Sequence, residues 1–201
     1  MQGGKAHRLG RRTALLAAML VTSSLAQGQQ SAPHPSIVSA NLCADQLVLA
    51  LADRQQIVSL SPFARDANIS FLAHEAAGVP RNTGAAEELI RLSADLIVLG
   101  RYDNRLTRDF LTTKERPFAM VDSWVSLDET RQEIAGLAAR FGHAERGAAL
   151  IATIDASTGA LEALASKVPQ RSFLILHRRG YVLHAGLAGD LAVKAGLRNA
   201  A

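Results

Sequence analysis

Three groups of residues carry side chains suited to recognition or catalysis. The first is the stretch Ser61-Pro62-Phe63-Ala64-Arg65-Asp66, which sets an aromatic face beside a charged pair. Arg101-Tyr102 and Ser123-Trp124 offer similar material further along. Aromatic rings suit flat or catechol-bearing ligands, and guanidinium groups suit carboxylates and anionic chelates. The second group is His177, Arg178, Arg179, Tyr181 and His184, gathered around one expected turn. In one reading it is a solvated hairpin. In the other, Arg178 or Tyr181 closes over an anionic ligand. The third is Cys43, near the start of an expected helix, where a thiol pKa can fall. No His/Asn arrangement is readable beside it, so Cys43 reads as a small buried hydrophobe.

Catalytic signatures are absent. The chain has no G-x-S-x-G, H-E-x-x-H, Walker loop or G-x-G-x-x-G. An enzyme would rest on Cys43 alone, as a cysteine-dependent hydrolase, and no enzyme is expected. A bare-metal site needs several convergent histidines and carboxylates. His74 and His143 fall at helix edges, so no metal site and no cofactor is expected. A single cysteine in 201 residues excludes an intramolecular disulfide and any Cys-clustered zinc or iron–sulfur centre. Aromatics make up 4%, too few for a stacking platform along single-stranded nucleic acid.

The net charge of +4 does not mark a nucleic-acid surface either. Lys5, Arg8, Arg11 and Arg12 stand in the first dozen positions, and without them 18 basic residues face 18 acidic ones. The basic start introduces Thr13–Leu25, an apolar stretch with the length of a signal h-region. Small residues at Ser24 and Ala26 place cleavage after Ala26. Arg11-Arg12 also suits the twin-arginine route, but Thr13-Ala14-Leu15 fits it loosely, and the general secretory route is preferred. Ala40-Asn41-Leu42 before Cys43 is no lipobox. The expected compartment is a Gram-negative periplasm, which tolerates a lone thiol.

The elements that must position these residues follow from periodicity. Gln27–Ser36 is a linker. Ile37–Ser39, Ile57–Leu60, Leu96–Leu99 and Phe118–Val121 read as short strands, the third buried on both faces. Helices are expected after Asn41, which makes a good N-cap, through Phe71–Ala76, and over Ala85–Leu92, Asn104–Thr113 and Leu127–Phe141. Strands alternating with helices imply an α/β fold with a parallel sheet and right-handed crossovers. Ligands bind such sheets at the strands' carboxyl ends. That singles out Ser39–Asn41, Ser61–Asp66, Gly100–Asp103 and Asp122–Trp124. Ala144–Lys167 reads as one helix of about 24 residues and about 36 Å, stopped before Pro169. Ser172–His177 starts a new strand, Tyr181–Leu183 pairs with it, and Gly189–Ala195 is a last helix. So short a final piece cannot bury its own core: it docks on the first lobe, is completed by a partner, or ends a fragment or truncated reading frame, which is the preferred reading.

Five stretches resemble the periplasmic substrate-binding proteins of ABC importers for cobalamin, ferric siderophores and haem, whose two lobes are joined by one long helix. Ile37–Asn41 with Leu47–Ala52 looks like the family's opening strand and helix. Ile57–Ser61 looks like its second strand. Glu87–Val98 (EELIRLSADLIV) is similar to its "E-x-[LI]-[LI]-x-L-x-P-D-L-[IV]-[IV]" stretch, with Ala94 in place of proline. Ala144–Lys167 resembles the connecting helix. Ala195–Ala200 resembles the "A-G-[LG]-x-N" early in the second lobe.

After the signal peptide over 1–26 and the linker over 27–36, the resemblance implies an N-terminal lobe over 37–143. A connecting helix over 144–168 and a partial C-terminal lobe over 169–201 follow. It implies capture of a metal chelate (ferric siderophore, haem or corrinoid) by a monomer that delivers it to an inner-membrane permease. Ligand contacts would come from Asn41, Ser61, Phe63, Arg65, Arg101, Tyr102, Trp124, Arg178 and Tyr181. His177 and His184 are types that ligate haem iron, though their spacing does not require it. Glu87, with Glu88 as substitute, would dock on permease arginines. Arg81 and Gly100 stand where cobalamin-binding members carry cleft aromatics. The rival readings are an exported sensor or relic with the same fold, and the cysteine hydrolase.

Overall fold

Short aliphatic runs build a parallel sheet. A computed structural model describes residues 34–103, 105–122, 126–176, 182–183 and 186–200. The export signal expected over 1–26 lies outside the described residues, as do Asn104, Trp124, His177, Arg178, Arg179, Tyr181 and His184. The main sheet comprises β1 (Ile37–Ser39), β2 (Ile57–Ser59), β3 (Leu96–Gly100) and β4 (Phe118–Val121), in the order β2-β1-β3-β4. All neighbouring pairs are parallel. The central strand β3 is buried along its whole length, as its uninterrupted run LIVLG requires. The strand order reverses direction at β1, so a topological switch point lies between the carboxyl ends of β1 and β3.

Helices cover both faces. Asn41 caps α1 (Leu42–Leu51) by accepting the Cys43 N–H. Glu87 and Glu88 lie in the first turn of α2 (Ala86–Arg91), and α3 is Arg105–Thr113. Ser126 caps α4 (Leu127–Phe141), and Gly142, at φ 84°, ends it in the left-handed conformation a glycine adopts freely. One apolar cluster packs Ile37, Val98 and Val121 against Leu47, Leu51, Ile134, Leu137 and Phe141. The other packs Val38, Ile97 and Leu99 against Leu89 and Leu111. Successive strand residues thus feed opposite cores, and the α/β class holds. Each fully buried Leu, Ile or Phe contributes about 1.5–3 kcal/mol.

The long helix α5 (Ala144–Ala165) has 22 residues, two fewer than its periodicity suggests. It is long and apolar enough to cross a membrane, with a mean hydropathy of 1.3. Here, however, Leu150, Ile151 and Ile154 pack on the first cluster. Asp155 accepts from Arg131, and Glu162 accepts from Lys194 at 2.9 Å.

Three expectations fail locally. No helix forms over Phe71–Ala76; the chain makes successive turns instead. Gln46 reaches across from α1, accepting the Leu72 N–H and donating to the Ser70 hydroxyl, both at 3.0 Å. The segment is thus fastened to α1 as a run of turns. The strand expected over Ser172–His177 is two short ones, β5 (Arg171–Phe173) and β6 (Ile175–Leu176). They break at Leu174 because they serve different sheets. β6 pairs antiparallel with β7 (Val182–Leu183), as the expected hairpin requires. β5 instead pairs parallel with β8 (Leu197–Asn199), a strand that no periodicity announces. Between them α6 runs over Leu187–Lys194, starting earlier than Gly189.

Candidate functional site

The loops at the carboxyl edge of the main sheet meet through polar side chains. Asn41, just beyond β1, donates from Nδ2 to Asp103 Oδ1 at 2.9 Å. The other Asp103 oxygen accepts the Gly100 N–H at 2.6 Å. The turns after β1 and β3 are thereby tied across the switch point. A Cβ on residue 100 would lie 2.6 Å from Asn41 Cγ, so only glycine leaves room for this contact.

Beneath that tie sits Asp45, fully buried in the first turns of α1. It accepts the Ser61 N–H at 3.1 Å and the Ser61 hydroxyl at 2.5 Å. Burial pushes its carboxyl above the usual aspartate range, against the lowering effect of hydrogen bonds from Ser39 and Ser61. Asn82, also buried, donates to Ser39 O at 2.8 Å and to Ser59 Oγ at 2.9 Å. The Asn82–Ala85 loop is thus pinned over the ends of β1 and β2.

The residues singled out from sequence divide into surface and scaffold. Phe63 and Tyr102 present their rings to solvent, with 54% and 83% of their area exposed. Arg101, half-exposed, pairs with Asp122 at the end of β4. Ser61, by contrast, is fully buried and its hydroxyl is committed to Asp45. Arg65 folds back on its own loop, donating from Nε to Ala76 O at 3.2 Å and from Nη2 to Val79 O. Asn41 is occupied by its cap and by Asp103.

Glu87 is exposed and makes no hydrogen bond or ion pair among the described residues. It borders an open groove of about 760 Å³ between Thr83–Ala86 and the α3 residues Leu106, Phe110 and Thr113. Glu88 behaves differently. It accepts from the Thr83 N–H at 2.7 Å and from the Thr83 hydroxyl, which hold its carboxyl below the usual glutamate range.

Cys43 is a correction: it is exposed, not buried. The residues α1 buries are Ala44, Asp45, Leu47, Val48 and Leu51, and that stripe leaves position 43 outside. Its thiol is pushed up, first by desolvation and then by the carboxylates of Asp103, Asp45 and Glu133. That is the reverse of an activated nucleophile. Sequence reasoning missed Asp45, Asn82 and Asp103. The one available signal was an aspartate inside the apolar run LCADQLVLAL, which must find a partner if it is buried.

The sequence matches no protein-family model and no curated protein. Solved structures do match. The periplasmic haem-binding protein RhuT from Roseiflexus sp. RS-1 superposes with a TM-score of 0.66 at 23% identity, over 84% of this chain and 66% of that one. An ABC transporter substrate-binding protein from Listeria monocytogenes EGD-e gives 0.66 at 17% identity, over 83% and 65%. The periplasmic vitamin B12 binding protein BtuF of Vibrio cholerae gives 0.57 at 19%, over 83% and 66%. The chain thus spans about two thirds of the length of these structures. Its fold is that of the periplasmic substrate-binding proteins of ABC transporters.

Proposed function

We propose that this chain is the exported substrate-binding component of an ABC importer. It captures a metal chelate (haem, a corrinoid or a ferric siderophore) and delivers it to the membrane permease. The observation that carries the reading is the fold shared with proteins whose names specify haem and vitamin B12. The carboxyl edge of the sheet supports it. Phe63 and Tyr102 offer exposed rings there, and Arg101 offers a guanidinium next to Tyr102. In this reading these three contact the ligand from one side. Asn41, Ser61 and Arg65 hold the loops that carry them. Trp124, Arg178 and Tyr181 contribute from the remaining loops. Glu87, unpaired and at the rim of a groove, docks on the permease, and the protein works as a monomer.

The test is a thermal-shift titration of the chain from Gln27 with haem, cobalamin, cobinamide and ferric siderophores, read also by Trp124 fluorescence. A ligand that binds only the native state raises the melting temperature by mass action. A saturable rise with one ligand is expected. A cooperative melt that no chelate moves would overturn the reading.

A further inference from the structure

A second cluster of ligating side chains lies away from these loops. His34 precedes β1, Asp53 precedes the 3-10 turn Arg54–Gln56 that leads into β2, and His143 is the residue before α5. The first two therefore enter the sheet at its amino edge, opposite to the loops of the candidate site. Each of the three offers one ligand atom, and these atoms all fall within 4.8 Å of one another. The imidazole rings of His34 and His143 have centroids 4.5 Å apart. Asp53 Oδ2 lies 3.4 Å from His143 Nε2.

The cluster is held from outside. Gln56 is buried, and its amide group is fixed by donation to Pro35 O at 3.1 Å and Phe141 O at 3.0 Å. Its oxygen accordingly faces the cluster. It lies 2.6 Å from His143 Nε2 and accepts the Asp53 N–H at 2.8 Å. Arg146 donates to Leu51 O and to Asp53 Oδ1, both at 2.8 Å, which leaves Oδ2 as the oxygen turned toward His143. His34 is seated against Gly142, where a Cβ would lie 2.7 Å from its Cε1. Outer contacts of this kind orient ligating residues and fix imidazole rings in known metal sites.

We propose that His34, Asp53 and His143 form a binding site for one divalent transition-metal ion of the zinc class. Two imidazoles and a carboxylate are the donor set such ions take, with a fourth position left for water. Calcium and magnesium, which need six or more oxygens, are excluded by the same set. The ion would join three segments distant in sequence and anchor the chain before β1 to the start of α5. The Arg146 guanidinium opposes a second cation, so the affinity is moderate.

The site is independent of chelate capture and is tested with the metal ion alone. The untagged exported chain, stripped by chelator, is titrated with zinc chloride by calorimetry and by thermal shift. Cobalt(II) absorption serves as a direct report of imidazole ligation. One ion per chain is expected, with a saturable rise in melting temperature. His34→Ala and Asp53→Asn each weaken binding by tenfold or more, and His74→Ala leaves it unchanged. His34 is exposed, so its replacement keeps the fold, and the metal-induced shift, not the absolute melting temperature, is compared. Absence of binding, or wild-type affinity in His34→Ala and Asp53→Asn, overturns the proposal.

Discussion

Asn41 Nδ2 and Asp103 Oδ1 are 2.9 Å apart, and this hydrogen bond closes the crevice between the ends of β1 and β3. The contact depends on Gly100, whose missing side chain makes room for the asparagine. Replacing Asn41 by Ala removes both the α1 cap and the tie, at a cost of about 1–2 kcal/mol. Gly100→Ala displaces Asn41 and costs about 1–3 kcal/mol. The two are coupled: the Asn41→Ala background removes the three atoms that lie nearest the added methyl. Urea unfolding of the double-mutant cycle should show an interaction of about 1 kcal/mol or more. Simple additivity would refute the crowding argument.

Asp45 gives a pH dependence of defined sign. Its folded-state pKa is raised, chiefly by burial. Between the ordinary and the raised value the folded chain binds more protons than the unfolded chain. The stabilisation from this group is therefore full below the ordinary value and is lost as pH rises through the folded one. Asp95 and Glu88 act in the opposite sense, because hydrogen bonds from Ser36 and Thr83 hold them low. The measurement is therefore a comparison with Asp45→Asn. The stability of the wild type relative to this variant should fall as pH rises above the ordinary aspartate value of about 4. A difference that rises with pH above that value contradicts the assignment.

Glu87 and Glu88 are neighbours with separable consequences. Glu88 is committed to Thr83, so Glu88→Ala should lower the melting temperature and leave permease association nearly unchanged. Glu87→Lys should leave both stability and ligand binding intact. It should slow association with the permease by about tenfold at low salt, less at high salt. Surface plasmon resonance against the reconstituted importer distinguishes the two. Equal loss of docking in both variants would remove Glu87 from its proposed role.

Two helix glycines are open to improvement. Nothing lies within 4 Å of a Cβ built at Gly136 in α4 or at Gly159 in α5. Alanine at either position should stabilise by about 0.5–1 kcal/mol, through helix propensity alone. Thermal unfolding of each variant checks this. A lower melting temperature for either would reveal a packing role not visible around that residue.

Features set by near neighbours along the chain are legible from residue pattern alone. The α4 bounds Leu127–Phe141 follow from periodicity, and Asn41 is recognisable as a cap. The buried run of β3 is equally plain. What escapes depends on chain segments that meet only after folding. Gln46 fastens the Phe71–Ala76 segment, which makes turns where a helix is expected, through Leu72 and Ser70. Asp45 meets Ser61 across the α1–β2 connection. His143 reads as an ordinary helix-edge residue because His34 and Asp53, which face it, come from distant positions. Of the recognition residues, Phe63 and Tyr102 are exposed. Ser61 and Arg65 are occupied by scaffold bonds that no spacing rule announces.

The 22 residues of α5 have a mechanical consequence. A continuous run of backbone hydrogen bonds about 33 Å long contains no residue that can swivel alone without opening one of them. A bending load on the rod is therefore spread along it as elastic curvature, as in a leaf spring. Such an element resists large excursions and returns to its rest shape when the load is released. Gly159, without a side chain to brace it, is where the rod is most compliant.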